Sequence, residues 1–177
     1  MTANHAPARP VFPGEVRQVG HIVANLDAAM NEWLALGIGP WTVIDVTQVA
    51  EYRGVSSESR VTIGFAHAGA LQIELIEAHG SASSSWHHAR DQARFGPHHL
   101  AYWTDAFDAT MAQIDQAPVD IVQAGDGNGM ARFIYVAGES DAMLVEIMEL
   151  TDLSRPFMDG IRELSEHWDG TGPTIYR

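Results

Sequence analysis

A chain of 177 residues with 46% hydrophobic content has room for one domain, or for two small modules sharing a core, and is too apolar for a disordered or collagen-like polymer. The sum of Lys and Arg is 10 against 23 Asp plus Glu, a net charge of −13, which removes the electrostatic footprint needed for nucleic acid or anionic lipid. There is no Cys, so disulfides, thiolate metal sites and a Cys nucleophile are excluded, and chemistry falls to His, carboxylates and hydroxyls. Met1 to Pro10 lacks the apolar core of a signal peptide, and no apolar run reaches the ~20 residues of a membrane-spanning helix. The expectation is a soluble cytoplasmic protein.

Residues 1–14 read as a loose leader. Val16 to Ala24 reads as a strand; Leu26 to Leu36 then sets Leu26, Met30, Trp33 and Leu34 on one helical face and stops at Gly37 and the Gly39-Pro40 break. Strands follow at Trp41 to Val49, Val61 to His67 and Ala70 to Ala78. Residues 80–95 form a polar, Ser-rich surface connector with a short helix from Ser85 to Arg94. Next come a strand at His98 to Thr104, a helix at Phe107 to Gln116, and strands at Val119 to Gln123, Arg132 to Ala137 and Ala142 to Glu149. Residues 151–177 supply a helix, Arg155 to Trp168, and an irregular tail.

The order strand, helix, three strands therefore occurs twice, at about residues 15–79 and 96–150, and the letters repeat with it. Leu26-Asp27-Ala28-Ala29-Met30 opens the first helix and Phe107-Asp108-Ala109-Thr110-Met111 the second. The strands before them share a His followed by apolar residues, at His21 and His99, with three more residues between strand and helix in the second copy. The last strand of each copy carries a Glu between apolar neighbours, Glu74 and Glu146. The fold class is α+β, with the two βαβββ modules pairing into a curved sheet around a central site.

Alternation along a strand puts Leu71, Ile73 and Leu75 under a helix and Gln72, Glu74 and Ile76 opposite; Val145 and Ile147 likewise oppose Leu144, Glu146 and Met148. A carboxylate among Ile, Leu and Met is costly to bury unpaired, so each Glu either faces water or shares a cation. If the two copies face one another, His21, Glu74, His99 and Glu146 converge as an N2O2 set suited to Zn, Ni, Co or Mn, with about two positions of an octahedral ion left open.

This pattern resembles the vicinal oxygen chelate superfamily, also called glyoxalase/bleomycin resistance/dioxygenase, from about Val16 to Leu150. Val19-Gly20-His21-Ile22, Leu71-Gln72-Ile73-Glu74-Leu75-Ile76, Gly96-Pro97-His98-His99-Leu100-Ala101 and Leu144-Val145-Glu146-Ile147 look like the ligand strands of glyoxalase I and methylmalonyl-CoA epimerase. The ligand set resembles bacterial glyoxalase I, whereas the Leu-Asp-Ala-Ala-Met helix and the His98-His99 pair look more like the epimerase branch. The resemblance implies one divalent metal ion on His21, Glu74, His99 and Glu146. It also implies a lyase, isomerase or epimerase that moves a proton next to a carbonyl through a metal-stabilised enediolate. Glu146 or Glu74 is the implied base. Glu58, near the position of the epimerase family's carboxylate before the third strand, is a further candidate, ahead of Glu51. The implied partner is a small molecule with a carbonyl or vicinal oxygens, and the implied assembly a homodimer, with no nucleic acid or membrane partner. Two alternatives stand beside this reading, a ring-cleaving dioxygenase with a 2-His-1-carboxylate iron site and a non-catalytic small-ligand binding protein.

Of the remaining residues, His98 is expected to point away from His99, Trp86-His87-His88 to lie on the surface, and His67 to border the pocket. Gly125-Asp126-Gly127-Asn128-Gly129 lacks the Lys and following helix of a phosphate loop and reads as a flexible turn.

Overall fold

The computed structural model describes residues 12–138 and 143–176; most of the expected leader lies outside that range. The first module comprises β1 (Gln18–Ile22), α1 (Leu26–Ala35), β2 (Trp41–Tyr52), β3 (Val55–Ala68) and β4 (Leu71–His79). After the connector helix α2 (Ser85–Asp91), the second comprises β5 (Gly96–Thr104), α3 (Phe107–Ile114), β6 (Asp120–Gly125), β7 (Phe133–Ala137) and β8 (Leu144–Glu149). The chain continues through α4 (Ser154–Glu166) to β9 (Thr174–Tyr176), a strand where the sequence suggests an irregular tail.

The strands form one sheet in the order β3-β4-β1-β5-β8-β7-β6-β2-β9, and β2 also pairs with β3, so the first eight strands close on themselves. The modules therefore meet within one chain, joined along β1 and β5. Their second seam is short, since β2 meets β6 only over Ala50–Tyr52 and meets β9 only over Trp41–Val43. The edge of β2 between these pairings opens into the interior.

Both helices of the repeat lie outside the closed sheet. Asn25 caps α1 by accepting a hydrogen bond from the Ala28 N–H at 2.7 Å, and Glu77 accepts from the Leu26 N–H at 2.7 Å, so two of the helix's orphan donors are satisfied. Leu26 and Met30 then bury against Val43, Ile73 and Leu75, contributing about 1.5–3 kcal/mol each. Helix α3 packs Phe107 and Ile114 on Ile134, Val136 and Ile147 in the same way. The opposite face of the sheet turns inward, carrying Ile63, Phe65, Ile76, Tyr135, Leu144 and Met148, and α4 packs against it through Met158 and Ile161.

Two expectations fail in the first module and connector. β2 and β3 run on beyond Val49 and begin before Val61, because Arg53 and Gly54 both take positive φ (49° and 79°) and make a tight turn that zips Tyr52 to Val55. Glu51 and Glu58 consequently sit in an exposed hairpin. Trp86 and His87 are buried rather than superficial, at 3% and 0% exposure. The His87 Nε2 lies 3.0 Å from the His79 carbonyl, to which it donates, and Nδ1 lies 2.7 Å from the Ser84 hydroxyl, which fixes the ring as a neutral structural group.

Candidate active site

The inward face of the sheet brings Glu74, His99 and Glu146 together. Glu74 on β4 and Glu146 on β8 project away from the outer helices, as strand alternation requires, and His99 reaches between them from β5. Its Nε2 lies 3.1 Å from Glu74 Oε2 and 3.4 Å from Glu146 Oε2, with the imidazole fully buried and each carboxylate side chain 10% exposed. The ring has this space because its neighbour on β1 is Gly20: a Cβ there would fall on the His99 ring atoms.

His21 is not part of this group. Next along β1 from Gly20, it turns outward, where its ring meets Trp33 of α1 edge-on at 5.7 Å and its Nδ1 is buried without a partner. Glu58 is also remote, standing exposed on β3 opposite Val49. The residue that takes the place expected for His21 is Gln18. Gln18 pairs with Gln72 and Gly20 with Glu74 in the first module, as His99 pairs with Leu144 and Ala101 with Glu146 in the second. Superposing the two carboxylates thus puts Gln18 on His99. The signal was in the sequence: Gln18 precedes Leu26 by the same eight positions that separate His99 from Phe107.

Further residues complete the surroundings. The β1–β5 register slips between Gly20 and His21, leaving His98 unpaired as a bulge. A bulge breaks strict alternation, so His98 does not point away; its Nδ1 lies 3.0 Å from the Nδ1 of His99. Burial and then the neighbouring His99 charge depress His98 to a pKa of about 3, so it is a neutral acceptor for the His99 Nδ1–H. Tyr135, opposite Glu146 across β7 and β8, packs its ring on His99 at 5.0 Å. Its hydroxyl accepts from Trp86 Nε1 at 3.3 Å and engages Glu146, and burial first, then Glu146 and Glu74, push the phenol well above its ordinary pKa, so it remains a donor. On the other flank, Gln18 Nε2 donates to Gln72 Oε1 at 3.0 Å, and Gln72 Nε2 reaches His67 Nε2 at 3.3 Å.

Glu74, Tyr135 and Glu146 form the floor of a cleft of about 310 Å³ whose walls include Ile44, Phe65, Trp86, Phe133 and Phe157, and the His99 imidazole lies buried behind the two carboxylates. Its mouth is the unpaired edge of β2 with the Gly127–Gly129 turn, where Asn128 Nδ2 donates to the Thr47 carbonyl at 2.8 Å.

Residues 17–137 match the family model of the Glyoxalase/Bleomycin resistance protein/Dioxygenase superfamily. The chain belongs to this superfamily. Its fold is similar to that of methylmalonyl-CoA epimerase from Mycobacterium tuberculosis, at a TM-score of 0.58 and 23% identity over 87% of this chain and 99% of that one. A Streptomyces coelicolor methylmalonyl-CoA epimerase variant in complex with 2-nitronate-propionyl-CoA gives 0.54 and 21% over 78% and 95%. A hypothetical protein from Bacillus halodurans C-125 gives 0.58 and 17% over 78% and 95%. The chain matches no curated protein sequence. Among the described residues no helix is long and apolar enough to cross a membrane.

For a superfamily member the question is whether this donor set suits a divalent ion. Among the described residues no group of three or more His, Asp or Glu stands placed to hold a metal ion; Glu74, His99 and Glu146 instead close on each other. Burial alone would lower the His99 pKa, but Glu146 and then Glu74 outweigh it and raise it to about 9. Burial pushes Glu74 upward against the pull of the same imidazolium. We read the trio as sharing one proton, carried by His99, because two buried carboxylates around a neutral ring would leave both charges uncompensated. Even so, neither His99 Nε2 nor Glu74 Oε2 has a partner in hydrogen-bond geometry, and Gln18 Oε1, at the register position equivalent to His99, is also buried and orphaned. By donor type alone, one imidazole nitrogen and two carboxylates, two of their atoms without hydrogen-bond partners, suit a divalent cation in place of that proton.

Proposed function

We propose that the protein is a divalent-metal-dependent isomerase, epimerase or lyase that moves a proton on and off a carbon next to a carbonyl. The observation carrying this reading is the pair of buried carboxylates brought to one imidazole at the floor of an apolar cleft. His99, Glu74 and Glu146 would hold the ion; when bound, the ion supplies Lewis-acid polarisation of the carbonyl oxygen. Glu74 is the base. It lines the cleft floor beside the imidazole, and its burial in the metal-free site raises its proton affinity, which strengthens it as an acceptor. Glu74 takes the proton as the C–H electron pair moves toward the carbonyl. It then returns that proton to the same carbon for epimerisation, or to its neighbour for isomerisation. Tyr135 and His98 hold the His99 ring in place, and the apolar walls keep competing water out.

The ring-cleaving dioxygenase alternative needs a second imidazole in the site, and Gln18 stands where the repeat would supply it. The test of the proposed function is solvent deuterium incorporation next to the carbonyl across a panel of ketones, α-hydroxy ketones and thioesters. Incorporation that Glu74→Gln abolishes supports the reading; no incorporation with any member contradicts it.

A further inference from the structure

Resting on that reading, we infer that the substrate is an uncharged, ring-bearing carbonyl compound of about two rings, rather than a carboxylate, a phosphate ester or a CoA thioester. The cleft is chemically one-sided. Phe65, Trp86, Phe133 and Phe157 wall it with rings, and Met130 and Met148 add thioethers. The rings already stand edge-to-face or tilted to one another, Phe65 to Phe157 at 5.9 Å and Trp86 to Phe133 at 6.1 Å, an arrangement that receives a further aromatic edge or face. A volume of about 310 Å³ is about twice that of an engineered apolar cavity that takes benzene.

The charges point the same way. Asp45, Glu74 and Glu146 are the charged residues of the lining, and no cation lines the cleft among the described residues. The chain contains no lysine, and its nearby arginines are engaged elsewhere. Arg132, next to the cleft-lining Phe133, is clamped by Glu149 and Asp108, both at 2.7 Å. Arg162 of α4 pairs with Glu166 at 3.2 Å, and Arg17 lies over the Trp103 ring at 5.4 Å. Beyond the ion that Glu74, His99 and Glu146 would hold at the floor, an anionic group entering here would shed its hydration with no Lys or Arg along the walls to replace it and would face Asp45 at the rim. The polar groups that do meet an entering molecule, Thr47, Gln48 and Asn128, are neutral.

The test is isothermal titration of the full-length protein, metal-loaded, with three probes: benzoin, 4-carboxybenzoin and propionyl-CoA. We expect benzoin to bind at least a hundredfold more tightly than its carboxylated analogue and propionyl-CoA to bind no better than the acid. Met130→Arg, at an exposed cleft-lining position (42%), should recover binding of the acid at least tenfold without tightening benzoin. Equal or tighter binding of the acid or the thioester, or no binding of benzoin, overturns the inference. Proton exchange at the benzoin carbinol carbon, followed by NMR in deuterium oxide, separates this from the reading beneath it. Selective benzoin binding without exchange upholds the ligand class and counts against proton transfer. Exchange on propionyl-CoA upholds proton transfer and overturns the ligand class.

Discussion

Gly20→Ala should expel His99 from the site although it adds a single carbon. The new Cβ would coincide with the His99 ring, and the ring has nowhere to retreat: it is fully buried, bonded to His98 at 3.0 Å and stacked edge-on against Tyr135 at 5.0 Å. Overpacking of this kind costs about 1–3 kcal/mol. Displacing the ring also strips Glu74 and Glu146 of their buried counter-charge, a loss of about 3–5 kcal/mol when one partner of a buried pair is removed. The terms overlap, so we expect a loss of about 3 kcal/mol or more, a fall in Tm of about 6–12 °C at this chain length. Gly160→Ala makes the same chemical change inside α4, where a Cβ meets nothing within 4 Å, and should stabilise by up to about 1 kcal/mol. Calorimetric unfolding of both metal-free variants decides the matter. A Gly20→Ala protein as stable as the parent, with its His99 resonance unshifted, would refute the packing argument.

Other outcomes follow from the same geometry. The raised His99 pKa, about 9 against 6.5, stabilises the metal-free fold fully below pH 6.5. That stability, on the order of 3 kcal/mol, should drain away as pH rises to 9, and urea titrations that are flat across this window would contradict it. Divalent-ion binding must displace the same proton, so apparent affinity should rise nearly tenfold per pH unit between pH 6.5 and 8.5, with about one proton released in calorimetry in paired buffers. Glu58→Gln should leave solvent exchange unchanged within twofold, whereas Glu74→Gln should lower it at least a hundredfold; equal losses would put Glu58 back in the chemistry. His87→Ala should destabilise by about 2–3 kcal/mol in denaturant unfolding, because the His79 carbonyl and the Ser84 hydroxyl lose their partner.

What could be read from the letters was whatever strand alternation and repetition control. The repeated βαβββ order and the inward aim of Glu74 and Glu146 follow from period-two patterning, and their apolar neighbours Ile73, Leu75, Val145 and Ile147 do lie beneath α1 and α3. Residue type misled where spacing would have served. His21 attracts the assignment because it is a His, although counting back from the helix start selects Gln18. His98 escaped because a bulge cancels alternation locally, and no sequence pattern marks a bulge of this kind. Glu58 is a candidate only through the family resemblance, and the Arg53-Gly54 turn, a weak signal beside Asn-Gly, hides the length of the β2–β3 hairpin that carries it away from the site. The Ser-rich composition around Trp86 and His87 suggests a surface segment, yet Ser84 itself caps α2 and supplies the hydrogen bonds that let His87 go under.

The central claim is a cation site built on His99, Glu74 and Glu146 without His21. Its most direct test is metal content per chain, by inductively coupled plasma mass spectrometry, in protein purified without chelator or metal-affinity tag. The account predicts close to one equivalent of a divalent ion, retained in His21→Ala and lost in His99→Ala. No ion in the parent even after adding Zn, Ni, Co or Mn, or loss in His21→Ala with retention in His99→Ala, would contradict it.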